Sequence, residues 1–165
     1  MSDDRPEPAT GGHPEDVRAR TLAFQNLANR IVRALLRTPL ICRVVGNRLI
    51  TVYVVGRKSG RHYTVPVAYV GQGDTLLIGT PFGWGRNLRS GEPVDIRLKG
   101  KRRHAAVEAF TDEKGVVELY AVMARTNRAF ASFNRISLDS SGDPDPADLR
   151  SAWTAGARAF RLIPR

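Results

Sequence analysis

Between Leu49 and Phe110, apolar and β-branched runs follow one another with only short, glycine-bearing turns between most of them. Parallel neighbours would need a crossover of about a dozen residues or more between successive strands, and this stretch offers little room for one. The runs must therefore pair mainly as antiparallel hairpins. A sheet of that kind curls and closes to hide its edges, which points to a small antiparallel barrel.

The individual runs support this reading. Leu49 to Val55 is apolar or β-branched at successive positions, the pattern of a strand buried on both faces. His62 to Val70 reads as a second strand, Gly71-Gln72-Gly73-Asp74 as a hairpin turn, and Thr75 to Thr80 as a third strand. Val94, Ile96 and Leu98 alternate with Asp95, Arg97 and Lys99, giving one dry face and one wet face. Gly100-Lys101 turns the chain into a strand through Ala105, Val107 and Ala109, and Phe160 and Leu162 mark a last strand stopped by Pro164. About six strands are expected in all. Helices flank them. Phe24, Leu27, Ile31 and Leu35 recur at helical spacing over 16–37, with Asn26, Arg30, Arg33 and Arg37 on the other face. Val116, Leu119, Tyr120, Met123 and Phe130 predict one amphipathic helix from about 112 to 131–134. Asp145-Pro146-Ala147-Asp148 caps a short third helix ending near Gly156. The fold class is thus mainly β (α+β): a small antiparallel barrel with an N-terminal helix and one or two outer helices. A polar leader rich in Pro and Gly is expected over 1–15, and a single domain over 16–165.

Composition narrows the function classes. With 42% hydrophobic and 25% charged residues the chain reads as an ordinary globular protein. The lone Cys42 permits no intrachain disulfide and no cysteine-built zinc site. No secretory pattern opens the sequence, and no apolar run approaches the roughly 20 residues of a membrane span. A cytoplasmic protein is expected, with a peripheral membrane contact through the basic face of 16–37 kept open. The net charge of +10 calls for an anionic partner: a phosphate-bearing cofactor, an anionic lipid or nucleic acid. Nucleic acid ranks last, because the basic strand face at Arg97, Lys99 and Arg102 carries few aromatic residues.

The densest chemical feature is Gly56-Arg57-Lys58-Ser59-Gly60-Arg61, set between two strands. Glycines let the backbone bend and approach a ligand, and backbone N–H groups in such a turn can form an anion-binding concavity. The spacing is not that of a phosphate-binding loop leading into a helix. On composition alone, a solvated basic hairpin tip is the competing reading.

The order of an apolar strand, Gly56-Arg57-Lys58-Ser59-Gly60-Arg61, Pro66-Val67, and then Trp84-Gly85-Arg86-Asn87-Leu88 before Val94-Asp95-Ile96 resembles the deazaflavin-dependent nitroreductase-like family over roughly residues 30–110. The resemblance implies a split β-barrel and a coenzyme of the reduced 8-hydroxy-5-deazaflavin (F-420) type, with FMN less favoured. It implies that Arg57, Lys58 and Ser59, with Gly60, face the coenzyme's phosphate and acidic tail. Pro66 and Val67 would line the ring, and Trp84, Asn87 and Leu88 would close the other side. Many members carry arginine where Tyr63 stands, so Tyr63 and the neighbouring Arg61 join the candidate set.

The implied activity is hydride transfer from the reduced coenzyme to a small organic acceptor such as a quinone, an enone or a nitro compound. The alternative is a non-enzymatic ligand-binding or membrane-peripheral barrel, since a fold does not determine a function. No catalytic side chain stands out. His62 and His104 offer no third metal ligand, and no metal is expected. Tyr53, Tyr63, Tyr69 and Tyr120 are candidate proton donors that read equally as core or rim aromatics. A homodimer is the expected oligomer if the chain assembles.

Overall fold

A computed structural model describes residues 48–165. The expected leader at 1–15, the helix at 16–37 and Cys42 lie outside the described residues.

The alternating runs become strands β1 (Leu49–Val55), β2 (His62–Ala68), β3 (Val70–Gln72), β4 (Thr75–Thr80), β5 (Val94–Leu98), β6 (Lys101–Phe110) and β7 (Arg158–Pro164). They form one antiparallel sheet in the order β2-β1-β5-β6-β7-β4-β3. This sheet is a curled half-barrel, mainly β with helices added.

Seven strands stand where about six were expected, because the run 62–70 is two strands. Its halves sit on opposite edges of the sheet, β2 on one and β3 on the other, with Tyr69 alone between them. One residue cannot span an open sheet. The two edges must meet there, so the sheet curls round on itself. The Tyr69 N–H donates to the Arg48 carbonyl at 3.0 Å rather than to a sheet neighbour across the seam.

The curl creates an inside and an outside. Ile50, Val52 and Val54 of β1 face inward with Val94 and Ile96 of β5, Ala105 and Val107 of β6, and Phe160 and Leu162 of β7. Period-2 alternation sends Leu77 of β4 and Ala159 of β7 outward. There they meet three helices: α1 (Glu113–Thr126), α2 (Arg128–Phe133) and α3 (Pro146–Thr154). Val116, Leu119, Tyr120 and Met123 supply the buried stripe of α1. The long helix expected from about 112 is cut at Asn127, whose extended backbone (φ −136°, ψ 98°) ends α1 while its side chain accepts from the N–H groups of Ala129 and Phe130 to open α2. Asparagine is among the best N-caps, so one residue both stops and restarts the helix. The Asp145 cap and Pro146 open α3 as the sequence indicates.

Candidate functional site

Antiparallel pairing decides what stands beside the basic turn. Tyr53 of β1 pairs with Asp95 of β5, so the C-terminal end of β1 lies next to the N-terminal end of β5. The turn 56–61 leaves the first, and the short 3-10 helix Gly83–Asn87 leads towards the second. Two segments about 30 residues apart are therefore neighbours. A hydrogen bond joins them: the Arg57 N–H donates to the Asn87 carboxamide oxygen at 3.2 Å. The Asn87 amide nitrogen in turn donates to the Trp84 carbonyl at 3.1 Å. Asn87 is thus a clamp that ties the turn to the 3-10 helix with both ends of its amide.

The turn is also closed on itself. The Gly56 N–H donates to the Arg61 carbonyl at 2.7 Å, and the Gly56 carbonyl accepts from both Ser59 and Gly60. The Arg61 N–H reaches the Ser59 hydroxyl oxygen at 3.4 Å. Only the Lys58 N–H has no such partner among the described residues. This narrows the expected concavity of backbone donors, because all of those N–H groups except that of Lys58 already have a partner. What the turn offers to solvent is side chains. Arg57, Lys58 and Arg61 are exposed, and none has a carboxylate within ion-pair distance among the described residues.

The two glycines do different work. Gly60 has a φ of +64°, which suits a residue without Cβ. At Gly56 the demand is space: a Cβ there would lie 2.8 Å from the Ser59 hydroxyl and 2.9 Å from the Tyr63 ring. Tyr63 therefore lies over the Gly56 backbone, at the root of the turn, and its side remains 40% exposed.

The other sequence-predicted residues are distributed unevenly. Trp84 is half-buried against the barrel core, next to the clamp. Leu88 is itself in that core, 7% exposed. Pro66 and Val67 stand four and five residues beyond His62, the start of β2, and point to opposite faces. Val67 turns inward with its partner Ile50, whereas Pro66 is exposed opposite Thr51. At about 3.3 Å per residue both lie well up the strand from the turn. The structure thus groups Arg57, Lys58, Ser59, Gly60, Arg61, Tyr63, Trp84 and Asn87 at one end, with Leu88 beside Asn87 turned into the core and Pro66 and Val67 farther along β2.

One feature of this end escaped the sequence reading. Phe82, directly before the 3-10 helix, meets Phe133 of α2 edge-on, with ring centroids 6.1 Å apart, and Phe133 is 60% exposed. An exposed phenylalanine at a helix end breaks the amphipathic pattern, which was the available signal.

His62 is exposed at the start of β2, whereas the other remaining candidates have structural partners or burial. His104 is paired with Asp95, which also takes the Arg102 guanidinium at 2.7 Å. The Arg102 hydrogen bond is the main reason the Asp95 carboxyl is held below its usual range, with His104 adding to it. Tyr53 accepts from Arg97 on the outer face, and Tyr69 lies in the barrel core. Tyr120 is fully buried between α1 and the sheet, its hydroxyl has no hydrogen-bond partner among the described residues, and burial pushes its pKa upward.

No protein-family model and no curated protein sequence matches the chain. Among solved structures it is similar to a candidate 5-nitroimidazole antibiotic resistance protein from Bacteroides thetaiotaomicron, with 12% identity, 73% of this chain and 75% of that chain covered, and a TM-score of 0.42. It is similar to an F420 reductase at 13% identity, covering 76% of this chain and 92% of that one, with a TM-score of 0.42. A FAD-binding protein from Mesorhizobium loti gives 17% identity, 78% and 90% coverage, and a TM-score of 0.40. Each is a likeness of chain path at low identity. Among the described residues no helix is long and apolar enough to cross a membrane.

Proposed function

We propose that this chain is an oxidoreductase that binds a deazaflavin coenzyme of the F-420 type through the side chains of the turn 56–61. The observation that carries the reading is a set of cations, Arg57, Lys58 and Arg61, on a turn whose backbone is locked and whose charges have no carboxylate partner among the described residues. A donor set of two guanidinium groups, an ammonium and the Ser59 hydroxyl suits a phosphate and a carboxylate tail. Arginine grips such groups through its planar fork, and lysine adds a point charge. The motif order that resembles the deazaflavin-dependent family agrees with this choice. When bound, the reduced coenzyme supplies a hydride for a small organic acceptor.

The protein's own part is to hold and to orient. Arg57, Lys58 and Arg61 bind the anionic tail, and Asn87 keeps the turn in one position relative to the 3-10 helix. Tyr63 offers an exposed ring at the root of the turn, and Phe82 with Phe133 gives a flat apolar acceptor a surface to lie on. Quinones, enones and nitro compounds share that flat apolar character.

Fluorescence titration of the protein with the deazaflavin coenzyme, and in parallel with FMN, tests the reading. Both cations are exposed, so the low end of about 1.5 kcal/mol per charge-assisted contact applies. Arg57→Ala with Lys58→Ala should then weaken coenzyme binding about a hundredfold, at 1.4 kcal/mol per tenfold. The melting temperature of the coenzyme-free protein should barely move, because neither side chain is part of a core. Unchanged affinity in the double variant removes the turn from the site. Tighter binding of FMN changes the coenzyme, and no binding of either leaves a non-enzymatic barrel.

A further inference from the structure

The opposite end of the sheet holds a second concentration of positive charge that the coenzyme reading does not use. Ile50 pairs with Leu98, so the β5–β6 hairpin turns at the N-terminal end of β1, about 20 Å from the 56–61 turn at 3.3 Å per residue. Across residues 97–103 the hairpin reads Arg-Leu-Lys-Gly-Lys-Arg-Arg. Two of its choices work against the fold. Arg97 stands directly opposite Arg102, and like charges in a cross-strand pair are destabilising. Lys99 takes a φ of +49° in the two-residue loop with Gly100 (φ +79°), a position where Asn, Asp or Gly is the comfortable residue.

Compensation inside the protein is partial. Asp95 takes Arg102, and the Tyr53 hydroxyl accepts from Arg97. Lys99, Lys101 and Arg103 are exposed, with no carboxylate in ion-pair range among the described residues. Lys101 and Arg103 lie opposite Leu98 and Ile96, so they extend the inward-facing column beyond the core to the mouth of the barrel. At the same end Leu49 is 37% exposed and Leu98 is half-buried. Cations without a carboxylate partner among the described residues, one of them at a strained position, set beside the half-buried Leu98 at the rim, fit a surface that is anionic outside and apolar beneath.

We infer that the β5–β6 hairpin docks on an anionic lipid bilayer through Lys99, Lys101 and Arg103, leaving the 56–61 turn at the end facing away. A nucleic acid fits less well. Tyr53 of β1 stands on the outer face, under the Arg102 guanidinium at 4.8 Å and with its hydroxyl engaged, away from the column that carries Lys101 and Arg103, so it gives these cations no stacking platform for a base. This inference stands apart from the coenzyme reading, since the two sites share no residue.

Co-sedimentation of the full chain with phosphatidylcholine vesicles, with and without phosphatidylglycerol, tests it. The protein should bind the anionic vesicles selectively, and less as salt rises. Each basic residue near such a surface contributes about a factor of five. The variant Lys99→Asn with Lys101→Gln and Arg103→Gln should therefore bind anionic vesicles about a hundredfold more weakly. It should melt no lower than the wild type, because the strained position at residue 99 is relieved while Arg97 and Arg102 keep their partners. Arg57→Ala with Lys58→Ala should keep vesicle binding. Four results overturn the inference: no binding by the wild type, vesicle binding that survives the hairpin variant, a lower melting temperature in that variant, or hairpin-dependent binding to a DNA duplex without binding to vesicles.

Discussion

If Asn87 is a clamp rather than a ligand, removing its amide should loosen the turn before it touches the coenzyme. Asn87→Ala deletes the acceptor for the Arg57 N–H and the donor for the Trp84 carbonyl. A neutral hydrogen bond contributes about 1 kcal/mol net. Arg57 is exposed, so water can take up its N–H and the loss there falls at the low end. The Asn87–Trp84 bond is partly buried and harder to replace with water. The sum is about 1–2 kcal/mol, concentrated at this end of the barrel. Hydrogen exchange reads it directly: the Arg57 amide should exchange about 5- to 30-fold faster, at 1.4 kcal/mol per tenfold. Amides of β6 and β7 should keep their protection, because opening of the turn is local. Asn87→Asp separates the two bonds, since a carboxylate still accepts from Arg57 but cannot donate to Trp84. It should lie between the wild type and alanine in Arg57 exchange. An Arg57 amide that exchanges at the wild-type rate in Asn87→Ala refutes the clamp, and with it the argument that the turn is held ready for a ligand.

Two further outcomes follow from buried and paired groups elsewhere. Tyr120→Phe removes a buried hydroxyl with no partner among the described residues, and the relief of about 1 kcal/mol should raise the melting temperature by about 2–4 °C in calorimetry. A lowered value would mean that the hydroxyl is satisfied by water. Asp95→Asn tests the pair with Arg102. The folded-state pKa of Asp95 lies below its unfolded value, so its stabilisation is present above about pH 4 and is lost as pH falls through the lowered folded value. In urea titrations the variant should therefore be less stable than the wild type at neutral pH, and the gap should close below about pH 4. A gap that persists unchanged into that range would assign the effect to shape rather than charge.

The parts of this molecule that sequence made legible are those whose signal is local. Alternation at Val94, Ile96 and Leu98 names the inner face because a strand has a period of two, and the observed core contains Val94 and Ile96 with Leu98 packed against it. Asp145 and Pro146 announce α3 because capping is settled within one turn of helix. Alternation says nothing about which edge a strand occupies, so a run such as 62–70 looks like one strand even when Tyr69 carries it from one edge to the other. Asn127 is hard to see for a similar reason: the apolar stripe continues through it to Phe130, and only the broken backbone shows that the stripe belongs to two helices. At the candidate site the division is the same. Three cations on one turn are visible in any reading of residues 56–61. The partners of the turn's N–H groups are not, because one of them, Asn87, is 30 residues away and arrives only through the pairing of β1 with β5. That pairing changes the chemistry assigned to the turn: all its backbone donors but the Lys58 N–H are spent on holding shape, and most of any grip on an anion falls to the side chains of Arg57, Lys58 and Arg61.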